Sequence, residues 1–196
     1  MSVPFQRPRA LMLLLALTAA AFVVAAGLAS SAMAANGAVY TQTNDPAGNA
    51  VQRFALGHDG SLEPAGTFPT GGAGLAGLGG RQGAVELSGN GRRLFAVNAG
   101  SNTISVFQAG PDRLELVDQL PSGGTTPVSI ASARGRVYVL NSGGTANVAA
   151  FDREDGTLEP LGAQDLAPGA TGAAQVSVMP DGKSLVVTER LAVGHH

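Results

Sequence analysis

A four-part unit recurs along this 196-residue chain, and the recurrence restricts the possible folds more than any other feature. An apolar alternating run, a Gly/Asn-containing turn and a second alternating run occur together as RLFAVNAGSNTISVF and again as RVYVLNSGGTANVAAF. A third run follows after another turn, and a fourth leads back to the first. Equivalent positions in the first runs are Tyr40, Phe95, Tyr138 and Val186, at spacings of 55, 43 and 48 residues. Alternation with period 2 between turn residues predicts β-strands.

A repeat of roughly 40–50 residues that carries four strands is typical of a propeller blade. We name the strands a to d from the axis outward and place strand a at residues 84–87, 128–131 and 174–178. These runs are rich in Ala, Val and Ser, which suits strands that converge on an axis. A β-sandwich is the alternative, but it does not require a recurring four-strand unit. The sequence therefore predicts an all-β fold, a β-propeller of four-stranded antiparallel blades.

The predicted strands number thirteen, or about three and a quarter blades, at residues 38–68, 84–120, 128–166 and 174–188. Closed propellers have about four to eight blades of four strands. The first group begins at strand b, so we expect its inner strand to come from a distant C-terminal segment. The repeat pattern is lost after Arg190, which resembles a frameshift or an incomplete gene model. We therefore expect an incomplete propeller, a fragment that self-associates through its open blade faces.

The N-terminal segment has the features of a secretory signal. Arg7 and Arg9 precede an apolar run over residues 10–29, and Ala32-Met33-Ala34 supplies small residues for cleavage. We expect a signal peptide at residues 1–34, a propeller domain at residues 35–196, and a secreted or periplasmic product with no membrane partner. The alternative is an uncleaved membrane anchor, because about twenty apolar residues can span a bilayer.

Composition excludes several function classes. The chain has 12 basic and 14 acidic residues and no basic run, so nucleic acid is not an expected partner. It has no cysteine, which excludes disulfides, thiolate metal sites and a cysteine nucleophile.

Three stretches, GGAGLAGLGGRQGAVELSGNGRRLFAVNAGSNTISVF, NVAAFDREDGTLEPL and AQVSVMPDGKSLVVTER, resemble the lactonase-family seven-bladed β-propellers. The resemblance covers residues 38–190, about half of a full member. The family includes 6-phosphogluconolactonase-like and carboxymuconate cyclase-like enzymes, and many exported members without an assigned reaction. The resemblance implies hydrolysis of a lactone, or the reverse cyclisation, without a metal or other cofactor, and we expect this fragment to be inactive. The alternative is a non-catalytic extracellular or envelope propeller that binds a sugar, peptide or protein.

Some motifs lack the context that their chemistry requires. Residues 72–77 fit G-x-G-x-x-G, but a strand follows them rather than a helix, so they predict a glycine-rich loop between blades. His58 is expected in a turn, and the adjacent His195 and His196 lack the spacing of metal ligands. The three Asp-Gly pairs are explained by hairpin turns rather than by calcium binding.

The candidate site follows from propeller geometry, because the b–c turns and d–a loops emerge on one face around the axis. Glu189 and Arg190 are the predicted catalytic residues, since a carboxylate beside a guanidinium can activate water and orient a lactone carbonyl. The predicted ligand-binding residues are amides on the same face: Gln82, Asn98, Asn141 and Gln175. The alternative role for the two asparagines is that of repeat-keeping turn residues. A lactone or a carbohydrate is the expected small-molecule partner.

Overall fold

The computed structural model of the chain describes residues 37–77, 82–154, 157–168, 170 and 172–190. The predicted signal peptide, its anchor alternative, His195 and His196, and the Asp155-Gly156 pair lie outside the described residues. The described residues form thirteen β-strands in four antiparallel sheets, which contain three, four, four and two strands. Each sheet is a meander in which every strand pairs with the strand that precedes it in the chain.

Each sheet corresponds to one predicted group of strands. Blade 1 contains β1 (Gly37–Gln42), β2 (Ala50–Leu56) and β3 (Leu62–Pro69). Blade 2 contains β4 (Val85–Leu87), β5 (Arg93–Asn98), β6 (Thr103–Ala109) and β7 (Leu114–Pro121). Blade 3 contains β8 (Thr125–Ala133), β9 (Arg136–Gly143), β10 (Asn147–Glu154) and β11 (Thr157–Asp165). Blade 4 contains β12 (Ala173–Val178) and β13 (Leu185–Glu189).

The predicted all-β fold with four-stranded antiparallel blades is confirmed, and one inner strand is longer than expected. Strand β8 starts at Thr125, whereas the sequence predicted residues 128–131. A register shift between Pro127 and Ser129 allows pairing to continue past the proline, so that Thr125 still opposes Gly143. Thr126 adopts a left-handed backbone with φ of 55°, which is uncommon for a β-branched residue.

Three hydrophobic clusters hold the blades together, one between each adjacent pair. Strand β5 shows how one strand serves two of them, because successive side chains point to opposite faces. Leu94 and Ala96 pack in the cluster with blade 1, whereas Phe95 and Val97 pack in the cluster with blade 3. Each fully buried Phe, Leu or Val contributes about 1.5–3 kcal/mol to folding. A strand that is apolar on both faces is therefore the expected sequence for strand b of an internal blade.

The strand directions define two ends of the assembly. Strand a begins, and strand b ends, at what we call the upper end, which carries the b–c turns and d–a loops. The a–b and c–d turns lie at the opposite, lower end. Across the ranges that the structure describes, no helix has the length and apolar character needed to cross a membrane.

Candidate functional site

The register of each blade places the predicted site residues at the upper end. Asn98 and Asn141 end the central part of strand b in blades 2 and 3, opposite Thr103 and Asn147. Glu189 is the equivalent residue of blade 4 and opposes Ala173, the first residue of β12. The predicted set is therefore gathered at one end of the propeller, but burial divides it into two groups.

Asn98 belongs to a buried polar network between blades 1 and 2. Its Nδ2 donates to Thr103 Oγ1 at 3.1 Å and to Ser105 Oγ at 2.8 Å. Its Oδ1 accepts a hydrogen bond of 2.9 Å from Asn49 Nδ2, across the blade boundary. The side chain of Asn98 is 0% exposed, so these partners replace water completely.

Asn141 occupies the equivalent place between blades 2 and 3, with one partner fewer. Its Nδ2 donates to Ser122 O at 3.1 Å and to Asn147 Oδ1 at 2.9 Å. Its Oδ1 is buried and has no hydrogen-bond partner among the described residues. Asn102, which corresponds to Asn49, instead accepts a hydrogen bond of 2.7 Å from Thr126 N. The donor that satisfies Asn98 Oδ1 is therefore directed elsewhere in the next repeat.

A glycine pair from the preceding blade covers each of these asparagines. The loops that follow β3 and β7 begin with Pro-Thr-Gly-Gly and Pro-Ser-Gly-Gly. A Cβ atom on Gly72 would lie 2.5 Å from the Asn98 amide, and one on Gly124 would lie 2.7 Å from Asn141. Only glycine permits this approach. Both side chains are 0% exposed in this arrangement and bond atoms of the preceding blade or its loop, and the ligand-binding role expected from the sequence stays a prediction.

Glu189 and Arg190 differ from these asparagines because both are exposed. The Arg190 backbone N–H donates to Gly172 O at 2.8 Å, which ties the end of β13 to the d–a loop of blade 3. A cleft of about 730 Å³ opens at the upper end of blade 3, between residues 144–146 on one side and residues 164–168 and 170 on the other. The carboxylate and the guanidinium therefore lie at the solvent-facing end of an inner hairpin.

Gln82 and Gln175 flank the innermost strands. Gln82 is exposed, and it precedes Gly83, whose carbonyl accepts a hydrogen bond of 2.7 Å from Ile130 N of the next blade. A Cβ atom on Gly83 would lie 3.0 Å from Ser129 Oγ and 4.0 Å from Gln175 Nε2. The amide of Gln175, in blade 4, thus lies close to Gly83, which precedes the inner strand of blade 2. These contacts bring two of the predicted ligand-binding segments together near the axis.

Sequence reasoning missed one inner-strand residue, Glu86. It is half-buried in the middle of β4, and its Oε1 accepts a hydrogen bond of 3.4 Å from Ser132 Oγ of blade 3. Burial raises the pKa of the Glu86 carboxyl, and the bonds from Ser132 offset part of that increase. Glu86 is the only charged residue in the three predicted inner strands, and that exception was the available signal.

Two further features concern ligands. A cavity of about 350 Å³ lies along the free edge of β1, lined by residues 40–42, Asn44 and residues 83–85. No three His, Cys, Asp or Glu side chains are grouped as metal ligands in the part of the chain that the structure describes.

The chain is thus a β-propeller with blades joined by buried asparagines and with a carboxylate and a guanidinium exposed at one inner strand end. Residues 47–171 match the family described as lactonase, 7-bladed β-propeller. The match spans more than half of the chain, and the protein belongs to this family. No curated protein sequence matches the chain significantly.

Two solved structures have the same fold, and a third is similar in sequence. A putative 6-phosphogluconolactonase from Bacteroides fragilis is 21% identical, with a TM-score of 0.56 over 78% of this chain and 49% of that one. A functionally unknown protein from Desulfotomaculum acetoxidans is 24% identical, with a TM-score of 0.52 over 63% and 37%. The periplasmic gluconolactonase of Pseudomonas aeruginosa is 26% identical, with a TM-score of 0.49 over 60% and 34%. The chain spans about half or less of the length of these three proteins.

Proposed function

We propose that the upper end of this propeller binds a lactone and, within a complete ring, catalyses its hydrolysis or its formation. One observation carries the proposal: in a chain of the lactonase family, the strand position occupied by asparagine in blades 2 and 3 is a glutamate in blade 4, followed directly by an arginine. A carboxylate at a position that carries an amide in the other blades, and that is followed by an arginine, is the best candidate for chemistry at this end.

The proposed reaction uses Glu189 as a general base and Arg190 as an electrostatic stabiliser. The Glu189 carboxylate accepts a proton from water while the water oxygen forms a bond to the lactone carbonyl carbon. The carbonyl oxygen gains negative charge, which the Arg190 guanidinium stabilises. The ring C–O bond then breaks, and the leaving oxygen takes the proton back from Glu189. The reverse sequence closes the ring, and neither direction consumes another reactant.

The amides near the axis have a positioning role in this proposal. Gln82 and Gln175 present donors and acceptors that suit the hydroxyl groups of a sugar-derived lactone. Asn98 and Asn141 hold the adjacent blades and do not contact the ligand.

A non-catalytic binding function is the second candidate, and the burial of these two asparagines favours it. With both amides covered, the polar side chains at the described upper end include Gln82, Gln175, Glu189 and Arg190, and those of Gln42 and Asn44 at the cavity beside β1. Such a surface can bind a carbohydrate without reacting with it.

Binding of an aldonate, the product of lactone hydrolysis, tests the proposed roles, because substitutions of Glu189 and Arg190 should change its affinity in opposite directions. The product carboxylate is attracted by Arg190 and repelled by Glu189. Calorimetry should therefore show binding that weakens about tenfold in Arg190→Gln and strengthens in Glu189→Gln. Glu63→Gln, an exposed carboxylate on an outer strand, serves as the control with unchanged affinity. If neither site variant changes aldonate affinity, the proposed site is wrong.

Turnover separates the two candidate functions. A site on the axis draws residues from all sides of a ring, so we expect no lactone hydrolysis by the 196-residue chain above the Glu189→Gln control. Hydrolysis that disappears in Glu189→Gln would instead establish catalysis by the chain alone. Binding of carbohydrate that is insensitive to both Glu189→Gln and Arg190→Gln would favour the non-catalytic function.

We also propose export with removal of residues 1–34. The basic start, the apolar run and Ala32-Met33-Ala34 support this proposal. N-terminal sequencing of the exported product should begin at Ala35, whereas a membrane-bound product that retains Arg7 would indicate an anchor.

A further inference from the structure

The a–b turns at the lower end are strongly basic. These three turns, with the first residue of the following strand b, contain five cations: Arg92, Arg93, Arg134, Arg136 and Lys183. They contain one carboxylate, Asp181, whose Oδ1 accepts a hydrogen bond of 2.8 Å from Lys183 N. We call these turns the basic turn surface. Their charge differs sharply from the weak overall charge of the chain.

Contacts between blades show that these turns are neighbours in space. Arg134 Nη2 donates to Asp181 O at 2.8 Å, and the Arg134 side chain packs over Gly182 of the blade 4 turn. On the other side, the bond of 3.4 Å between Ser132 Oγ and Glu86 Oε1 joins the inner strands of blades 3 and 2 just above their turns. The turns of blades 3 and 4 are therefore in direct contact, and the turn of blade 2 follows an inner strand that packs beside that of blade 3.

Most of these charges are available to a partner. Arg92, Arg134, Arg136 and Lys183 are exposed. None of the four forms an ion pair with another residue described by the structure. Asp152 lies opposite Arg136 on the adjacent strand, so Arg92, Arg134 and Lys183 carry the excess positive charge. Like charges on one surface produce a positive potential that attracts an anionic surface.

The backbone at Arg134 supports a role for its charge. Arg134 and Gly135 form the two-residue connection between β8 and β9, with φ of 51° and 82°. Asn or Asp is the usual residue at the first of these positions, because an L-residue with a long side chain is disfavoured there. A cation therefore stands where local conformation favours another residue type, and its side chain bonds the blade 4 turn.

Exposed aliphatic side chains accompany the cations. Leu87 is 40% exposed at the end of β4, Met179 is 44% exposed in the blade 4 turn, and Leu185 is 38% exposed at the start of β13. Leu87 and Leu185 are thus next to basic turns in the sequence, and Met179 lies within one. Cations combined with exposed aliphatic groups match the interface of an anionic bilayer, where basic groups meet headgroups and apolar groups enter the acyl boundary.

We propose that the basic turn surface binds peripherally to anionic lipid bilayers. This proposal departs from the expectation that the exported protein has no membrane partner, and it does not depend on the proposed lactone chemistry. Asp59 and Asp112 lie in c–d turns at the outer edge of the same end, and Asp152 lies opposite Arg136, so the attraction is concentrated at the turns that carry Arg92, Arg134 and Lys183. Binding through the lower end leaves Glu189 and Arg190 at the opposite end accessible to solvent.

Vesicle sedimentation tests the proposal. The protein should bind vesicles of equal parts phosphatidylcholine and phosphatidylglycerol and should not bind phosphatidylcholine alone. The double variant with Arg92→Gln and Lys183→Gln should bind about 25-fold more weakly, since each cation near an anionic bilayer contributes about fivefold. Arg113→Gln removes one charge from an outer c–d turn and should change affinity by less than about twofold.

A second variant distinguishes a bilayer from a soluble polyanion. Met179→Ser leaves the charge unchanged and should weaken vesicle binding several-fold, because it removes an apolar contact with the acyl boundary. Duplex DNA serves as the soluble polyanion. Equal binding to neutral vesicles, no vesicle binding, or a loss of affinity in Arg113→Gln as large as in the double variant would overturn the proposal. So would an unchanged affinity of Met179→Ser together with equally tight binding to DNA.

Discussion

The two equivalent asparagines provide a matched test of how the blades are held together. Asn98→Ala and Asn141→Ala remove the same atoms from equivalent strand positions, and both wild-type side chains are 0% exposed. The transfer and cavity contributions of the two substitutions are therefore similar. The difference between them depends on hydrogen bonding.

The hydrogen bonds give different expected losses. Asn98 makes three side-chain bonds, with Thr103, Ser105 and Asn49, which contribute about 3 kcal/mol at about 1 kcal/mol each. Asn141 makes two, which contribute about 2 kcal/mol, but its substitution also removes a buried unpartnered Oδ1 that costs at least about 1 kcal/mol. We therefore expect Asn98→Ala to lower the free energy of unfolding by about 2 kcal/mol more than Asn141→Ala.

Urea unfolding followed by far-ultraviolet circular dichroism is the suitable assay, because the chain has no tryptophan. The dependence of the unfolding free energy on urea should be equal in both variants, so that the midpoints report stability alone. Equal losses, or a larger loss for Asn141→Ala, would refute the assignment of the extra stabilisation to the bond between blades 1 and 2.

Three further outcomes are expected. Gly74→Ala should destabilise the protein by about 2–4 kcal/mol, because its Cβ would overlap blade 1 backbone; Gly48→Ala, with nothing within 4 Å, should be nearly neutral in the same urea titration. Burial raises the pKa of Glu86 above 4.5, so its contribution to stability is present below that pH and is lost as pH rises through the raised pKa. As pH rises above about 4.5, the Tm of Glu86→Gln should consequently increase relative to the Tm of the wild type. A Tm difference that changes in the opposite direction would contradict this sign. Arg53→Ala should cost about 2–3 kcal/mol, because the buried guanidinium donates to a turn carbonyl at 2.6 Å. Asp112→Ala should change stability little, because this partner at 3.9 Å is 94% exposed, and equal losses in chemical unfolding would show that the ion pair dominates.

Local pattern determined most of the fold. Alternation with period 2 predicts the strands, and Gly, Asn and Asp between the runs predict the turns, because both depend on neighbouring residues. The recurrence of this pattern then predicted thirteen strands in groups of three, four, four and two, which the structure confirms. The boundary of β8 was beyond this reasoning, because its extension past Pro127 depends on a bulge and on pairing with Gly143.

Tertiary structure alone determines which of the candidate site residues are buried and which are exposed. Asn98, Asn141 and Glu189 occupy equivalent positions in the repeat. Their spacing in the sequence does not show which of these side chains is buried. The difference arises because one glycine from the preceding blade lies against each asparagine, whereas β13 has no further described strand beside it, so most of its residues, Glu189 included, are exposed. The basic turn surface has the same origin, because its cations are dispersed over residues 92–183 and become neighbours only when successive inner strands pack side by side.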